Sequence, residues 1–269
     1  GMLSVRTNML AWNAGRQFGV NTSKNKKTTE KLSSGYRINR SADDAAGLSI
    51  ANKMKRESNG LDVSADNIKD GIGVANIKDG ALDSMQSSLH RIYELSIKAS
   101  NSMYGDSEKR MIQDEVDQLL QDIESTAVGT KYNEMKLMDG SMADMHIASN
   151  PDGTGMKIQM ENVTLKALGI DGYDVTGNFN IGDIESALDK ISASRSATGA
   201  KTNAMEHAYN YNTGASLEMV NSRSRIEDLD MPKAISEQKK NKLMQDYRMS
   251  MLRRKMQNDS LVVKMFGAM

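Results

Sequence analysis

The stretch LDSMQSSLHRIYELSIKASNSM (residues 82–103) decides the fold. Leu82, Met85, Leu89, Ile92, Ser96, Ala99 and Met103 recur at alternating steps of three and four. That spacing puts them on one seam of a helix that packs against another helix. Ile68, Ile72 and Ala75 carry the seam toward the N-terminus, and Asp79 interrupts it. Ile112, Val116, Leu119, Ile123 and Thr126 repeat the spacing downstream. Between the two stretches, Gly105 suits the end of the first helix and Asp106 or Ser107 the start of the second. The result is an antiparallel helical hairpin.

Beyond residue 139 the period changes. Met156, Ile158 and Met160 alternate with Lys157, Gln159 and Glu161, as in a half-buried strand, and Met145 and Ile147 offer a partner. The Gly/Pro/Asp-rich run from Ser149 to Gly155 supplies the turn. Helical spacing resumes with Ile184, Leu188 and Ile191 and continues toward the C-terminus, with a local break at Pro232. Upstream, residues 2–33 read as a helix whose apolar stripe (Met9, Trp12, Phe18, Leu32) is too sparse to fold alone. Ser-Ser-Gly then interrupts the pattern, and Ser41 and Asp43 are candidate N-caps for the next helix. The predicted fold is mainly α: an elongated antiparallel helical bundle or coiled coil with a small β-hairpin, its N- and C-terminal helices paired. Its expected parts are residues 2–42, a rod over 43–225 with the β element at about 139–175, and residues 226–269.

Composition agrees with that outline. The 269 residues are 38% hydrophobic and only 4% aromatic, which is thin material for one thick core. The chain has no cysteine, which excludes disulfides, thiolate metal sites and a cysteine nucleophile. Net charge is zero, but residues 1–40 carry eight Lys/Arg against one Glu and residues 221–269 eleven basic against six acidic. The middle carries sixteen basic against twenty-eight acidic, so basic ends flank an acidic centre. No apolar run is long enough to span a bilayer, and no apolar core of a cleavable secretory signal is expected.

Catalytic chemistry finds no foothold. His90, His146 and His207 have no partners at metal-ligand spacing, and twin glycines at Gly71 and Gly73 lack the rest of a dinucleotide loop. The acidic run 114–117 reads as a solvated helix face, and the methionines as core aliphatics. Neither enzyme activity nor a cofactor is expected. The basic arms lack the interleaved aromatics of a nucleic-acid surface, so no nucleic-acid partner and no membrane insertion are expected.

At residues 31–50, KLSSGYRINRSADDAAGLSI resembles the N-terminal signature of bacterial flagellin, and Asn8, Ala11 and Asn13 fall where that family has its Asn-x-x-Ala-x-Asn pattern. The likeness continues through residues 60–101, YNEMKLMDGS (132–141), ALGI (167–170) and SRSRIEDLD (222–230). With no long insertion, the chain resembles a minimal flagellin without a hypervariable outer domain. The resemblance implies a structural subunit of the extracellular flagellar filament, exported unfolded by the flagellar type III system without a cleaved signal. The implied partners are further copies of itself, an export chaperone, the filament cap and hook-junction proteins, and the flagellin-sensing Toll-like receptor. A hook–filament junction protein shares the helical ends but usually matches the SRSRIED block less well. A monomeric secreted helical effector or binding module is the reading from another class.

Residue by residue, the resemblance implies receptor contacts at Arg91, Leu95 and Glu115. All three lie off the predicted seams and are expected to be exposed. Polymerisation contacts are implied at Asn8, Ala11, Trp12, Leu32, Arg37, Ile38, Asp43, Asp44, Arg225, Ile226 and Asp230. Chaperone contacts are implied at Ile235, Leu243, Tyr247, Met251 and Leu261. The sequence departs from the family pattern at Trp12, where leucine is common, and in its basic tail, which lacks the leucine-rich terminus read by cytosolic flagellin sensors.

Overall fold

The computed structural model describes residue 16, residues 22–37, 44–228 and 231–267, and in the last helix the side chains of 232–258. Two compact units divide the chain: Glu57–Glu218, and Gly1–Arg56 together with Met219–Met269.

The unit Glu57–Glu218 is built on the predicted seam. Helix α2 (Ala45–Ala99) enters it at Glu57, and α3 (Asp106–Gly129) folds back along it. Ile68, Ala75, Leu82, Met85, Leu89, Ile92 and Ala99 of α2 are buried in one core with Ile112, Val116, Leu120, Ile123 and Ala127 of α3. Helix α5 (Ile181–Glu227) leaves the unit at Glu218 and runs antiparallel to α2. Its bonds fix that direction: Gln86 meets Ser192, Asp79 meets Arg195 and Ser58 meets Ser216.

The seam differs from expectation in three places. Met103 is 87% exposed, because α2 ends at Ala99. There Asn101 accepts from the Met103 amide and starts a turn, which leaves Gly105 as the N-cap of α3, with Asp106 and Glu108 in the first turn where the helix dipole favours them. On α3 the buried positions are Leu120 and Ala127, while Leu119 and Thr126 are half-buried. Asp79 does not break the seam; it lies beside it, paired with Arg195. The charged residue buried inside the seam is Lys78, 2% exposed between Ala75 and Leu82.

The β element forms from the two stretches expected to pair. Strand β3 (Asp144–Ile147) pairs antiparallel with β4 (Met156–Gln159), setting Met145 opposite Ile158 and Ile147 opposite Met156. The turn closes on itself: Asp152 accepts from the Thr154 amide and hydroxyl, and Gly153 takes φ +86°. Two amides from different helices hold it down, as Asn67 donates to the Ala148 carbonyl (3.2 Å) and Asn212 to that of Ser149 (2.8 Å). A second, unforeseen hairpin joins β1 (Lys131–Tyr132) to β2 (Met135–Lys136). Asn133 and Glu134 both adopt positive φ there, the geometry of a two-residue hairpin turn normally flagged by Asn-Gly. Short helix α4 (Leu165–Leu168) follows, and Gln113 of α3 clamps the next loop by donating to the Tyr173 carbonyl and accepting from the Val175 amide.

In the other unit, helix α1 (residues 22–34) pairs with α6 (Met231–Gly267). Gln238 donates to Thr29 (3.0 Å) and Gln245 to Thr22 (2.8 Å). The expected break near Pro232 falls before it, and Pro232 sits in the first turn of α6, where its missing N–H costs nothing. Ser41 and Asp43 lie outside the described residues. The cap of α2 is Asp44, whose carboxylate accepts from the Gly47 amide at 2.8 Å.

Candidate functional site

The two signature blocks, nearly two hundred residues apart in sequence, are knitted together. Helix α1 stops because Gly35, at φ +74°, returns its amide to the Lys31 carbonyl (2.9 Å), a left-handed cap that a Cβ would strain. The turned chain brings Tyr36 into an antiparallel bridge with Asp228. Arg37 then donates its amide to the Glu227 carbonyl and its Nε to the Ile226 carbonyl (3.0 Å), while Nη1 reaches Asp44 Oδ2 at 3.2 Å. The Gly47 amide first, and Arg37 next, hold the Asp44 carboxyl below the usual carboxylate range. One guanidinium therefore ties the end of α5 to the N-cap of α2.

Among the predicted polymerisation residues, the structure brings together Arg37, Asp44 and Ile226. Arg225 is exposed and bonds Ser222, and Leu32 is half-buried on α1. Asn8, Ala11, Trp12, Ile38, Asp43 and Asp230 lie outside the described residues. On α6, Leu243 (70% exposed), Tyr247 and Met251 line a groove of about 370 Å³, and Ile235 is also exposed. Leu261 belongs to α6, with its side chain outside the described set.

On the α2–α3 face, Arg91 Nε and Nη2 donate to both oxygens of Glu115 (2.8 and 3.3 Å), and Nη1 meets Glu94. The expected exposure of Arg91 and Glu115 is found; that of Leu95 is not, since its side chain is 3% exposed within the core. Leu95 belongs to the same buried core as Tyr173 of the loop after α4, which donates to Oγ of the adjoining Ser96.

Among the described residues no group of three or more His, Asp or Glu side chains is placed to hold a metal ion, and His146 bonds the Gly153 carbonyl. No described helix is long and apolar enough to cross a membrane.

Comparison with known proteins assigns the two knitted blocks. The family profile described as the bacterial flagellin N-terminal helical region matches residues 5–143, and the one described as the bacterial flagellin C-terminal helical region matches residues 181–265. A flagellin of Halalkalibacterium halodurans is 33% identical over 97% of this chain and 98% of its own. The chain belongs to the bacterial flagellin family. Two further relatives place this flagellin within the family. The flagellar filament 30.7 kDa core protein of Treponema maltophilum is 30% identical over 92% of this chain and 94% of its own. The phase 1 flagellin of Salmonella naestved is 33% identical over 70% of this chain but only 37% of its own length. This flagellin is accordingly a structural subunit of the bacterial flagellar filament and assembles as a homopolymer. The family is structural rather than enzymatic.

Proposed function

We propose that this flagellin is exported unfolded by the flagellar type III system, escorted by a chaperone on α6, and added at the filament tip with the cap and hook-junction proteins as neighbours. The observation that carries this reading is the stripe Leu243, Tyr247 and Met251, steps of four on one helix, left open in the single chain. Such a stripe serves a chaperone through Ile235, Leu243, Tyr247, Met251 and Leu261 before export and a neighbouring subunit afterwards. The junction residues Leu32, Arg37, Asp44, Arg225 and Ile226, with Asn8, Ala11, Trp12, Ile38, Asp43 and Asp230, are the proposed polymerisation contacts. Dilute monomer given filament seeds is expected to sediment as polymer, faster at low salt because basic ends meet acidic centres across subunits. A chain that stays monomeric with seeds would favour the secreted effector, and one that caps seeds without elongating them would favour a junction protein.

We further infer recognition by the flagellin-sensing Toll-like receptor through Arg91, Leu95 and Glu115. The exposed Arg91–Glu115 pair supports it, with Leu95 acting from beneath as packing for the face. Arg91→Ala is expected to weaken binding to the receptor ectodomain at least about fivefold; unchanged affinity would remove the site. Leu95→Ala reports on the fold as well as on binding.

A further inference from the structure

We propose that Lys78, Glu161 and Ser194 form an acid-opened latch that holds the β3–β4 hairpin onto the α2–α5 helix pair. Lys78 occupies a core position of the seam, yet its Nζ donates to the Gln159 carbonyl and to Glu161 Oε2, both at 2.6 Å. Ser194 of α5 donates to the same Oε2 at 3.0 Å. One carboxylate, two residues past β4, therefore joins α2, the hairpin and α5.

The latch is asymmetric. The Lys78 side chain is 2% exposed and that of Glu161 35%, so the carboxylate is open to solvent protons while the lysine is almost wholly buried. Protonating Glu161 cancels its charge and leaves a buried cation without its counter-charge. Losing one partner of a buried pair is strongly destabilising when the charge left behind is buried; Glu161 is 35% exposed and keeps Ser194, so removing the Lys78 charge leaves the less costly remnant. Burial pushes the Glu161 carboxyl up, but the Lys78 hydrogen bond, a backbone hydrogen bond, the Lys78 charge and Ser194 together outweigh it and hold the carboxyl below its usual range. Stabilisation by Glu161 is thus present above the unfolded carboxyl range and is lost as pH falls through the lower folded one.

Other charges border the same region: Asp144 of β3, Lys157 of β4 and Lys201 of α5 line a cavity of about 500 Å³ beside Lys78 and Glu161. Asp79 and Asp83 of α2 are held by Arg195 of α5, and Asp152 lies in the hairpin turn. Variants that keep all of these isolate the latch by difference.

Hydrogen exchange on the full chain, referenced to the intrinsic rate at each pH, tests the proposal. Between about pH 7 and about pH 3 the hairpin amides of 144–159 are expected to lose protection about tenfold while the α2–α3 core keeps its own. Glu161→Gln should show the lowered hairpin protection already at neutral pH. Lys78→Met, long and apolar, should make hairpin protection nearly independent of pH. A Lys78→Met chain with the wild-type acid profile, or a wild-type hairpin that opens only together with the helical core, would overturn the latch. Should Lys78→Met fail to fold, a Glu161→Gln chain with undiminished hairpin protection at neutral pH overturns it alone.

Discussion

Ile92→Ala is expected to lower the stability of the helical core by about 2–5 kcal/mol, while Met103→Ala changes it by less than about 0.5 kcal/mol. Both residues stand on the same three-and-four spacing in the sequence. Ile92 is fully buried at the meeting of α2 with α3, and truncation there removes apolar contact and leaves a cavity in a close-packed interior. Met103 lies beyond the last turn of α2, in a segment whose amide bonds the Asn101 side chain, and projects into solvent. Thermal or denaturant unfolding of the two variants in the unpolymerised chain separates them. Equal losses would mean that the seam runs on through Met103.

Gly155→Ala is expected to unseat the β3–β4 hairpin, costing about 3 kcal/mol through forced overpacking. A Cβ at Gly155 would lie 1.9 Å from the Ile147 carbonyl oxygen and 2.5 Å from the Ser149 amide nitrogen, so backbone rather than a flexible side chain must move. That movement strikes the last ladder pair, Ile147 with Met156, and the carbonyl of Ser149 that Asn212 holds. Gly153 in the same turn is the control. Its φ of +86° strains any side chain, but nothing crowds a Cβ there, so Gly153→Ala should cost only about 1–2 kcal/mol. Hydrogen exchange of residues 144–159 should rank the two in that order; the reverse ranking would contradict the close packing at Gly155.

Much of this was legible in the chain because the relevant interactions are periodic or local. The α2–α3 pairing follows from side chains repeating on one helical face, and β3–β4 from alternation around a run of turn residues. The β1–β2 hairpin escaped because Asn133-Glu134 adopts a positive-φ turn without the glycine that normally announces it. The stop of α1 is likewise a local matter, since Gly35 needs only the Lys31 carbonyl four residues behind it.

The burial of Leu95 and Lys78 belongs to another level. Periodicity identifies the face of α2 that α3 covers, but α5, the hairpin and the loop through Tyr173 arrive from far along the chain and bury a wider arc. Lys78 looks like a surface residue until Glu161 and Gln159, more than eighty positions away, are folded against it. Arg37 carries no mark of its reach to the Ile226 carbonyl, because a backbone acceptor has no sequence signature. The sequence by itself determined the long helices α2, α3 and α5, which stretch forms the predicted hairpin and to which family the chain belongs, since these rest on spacing, local turn chemistry and motif. Only the tertiary structure decided which polar groups are buried and what holds them there, because desolvation depends on every element that closes over a residue.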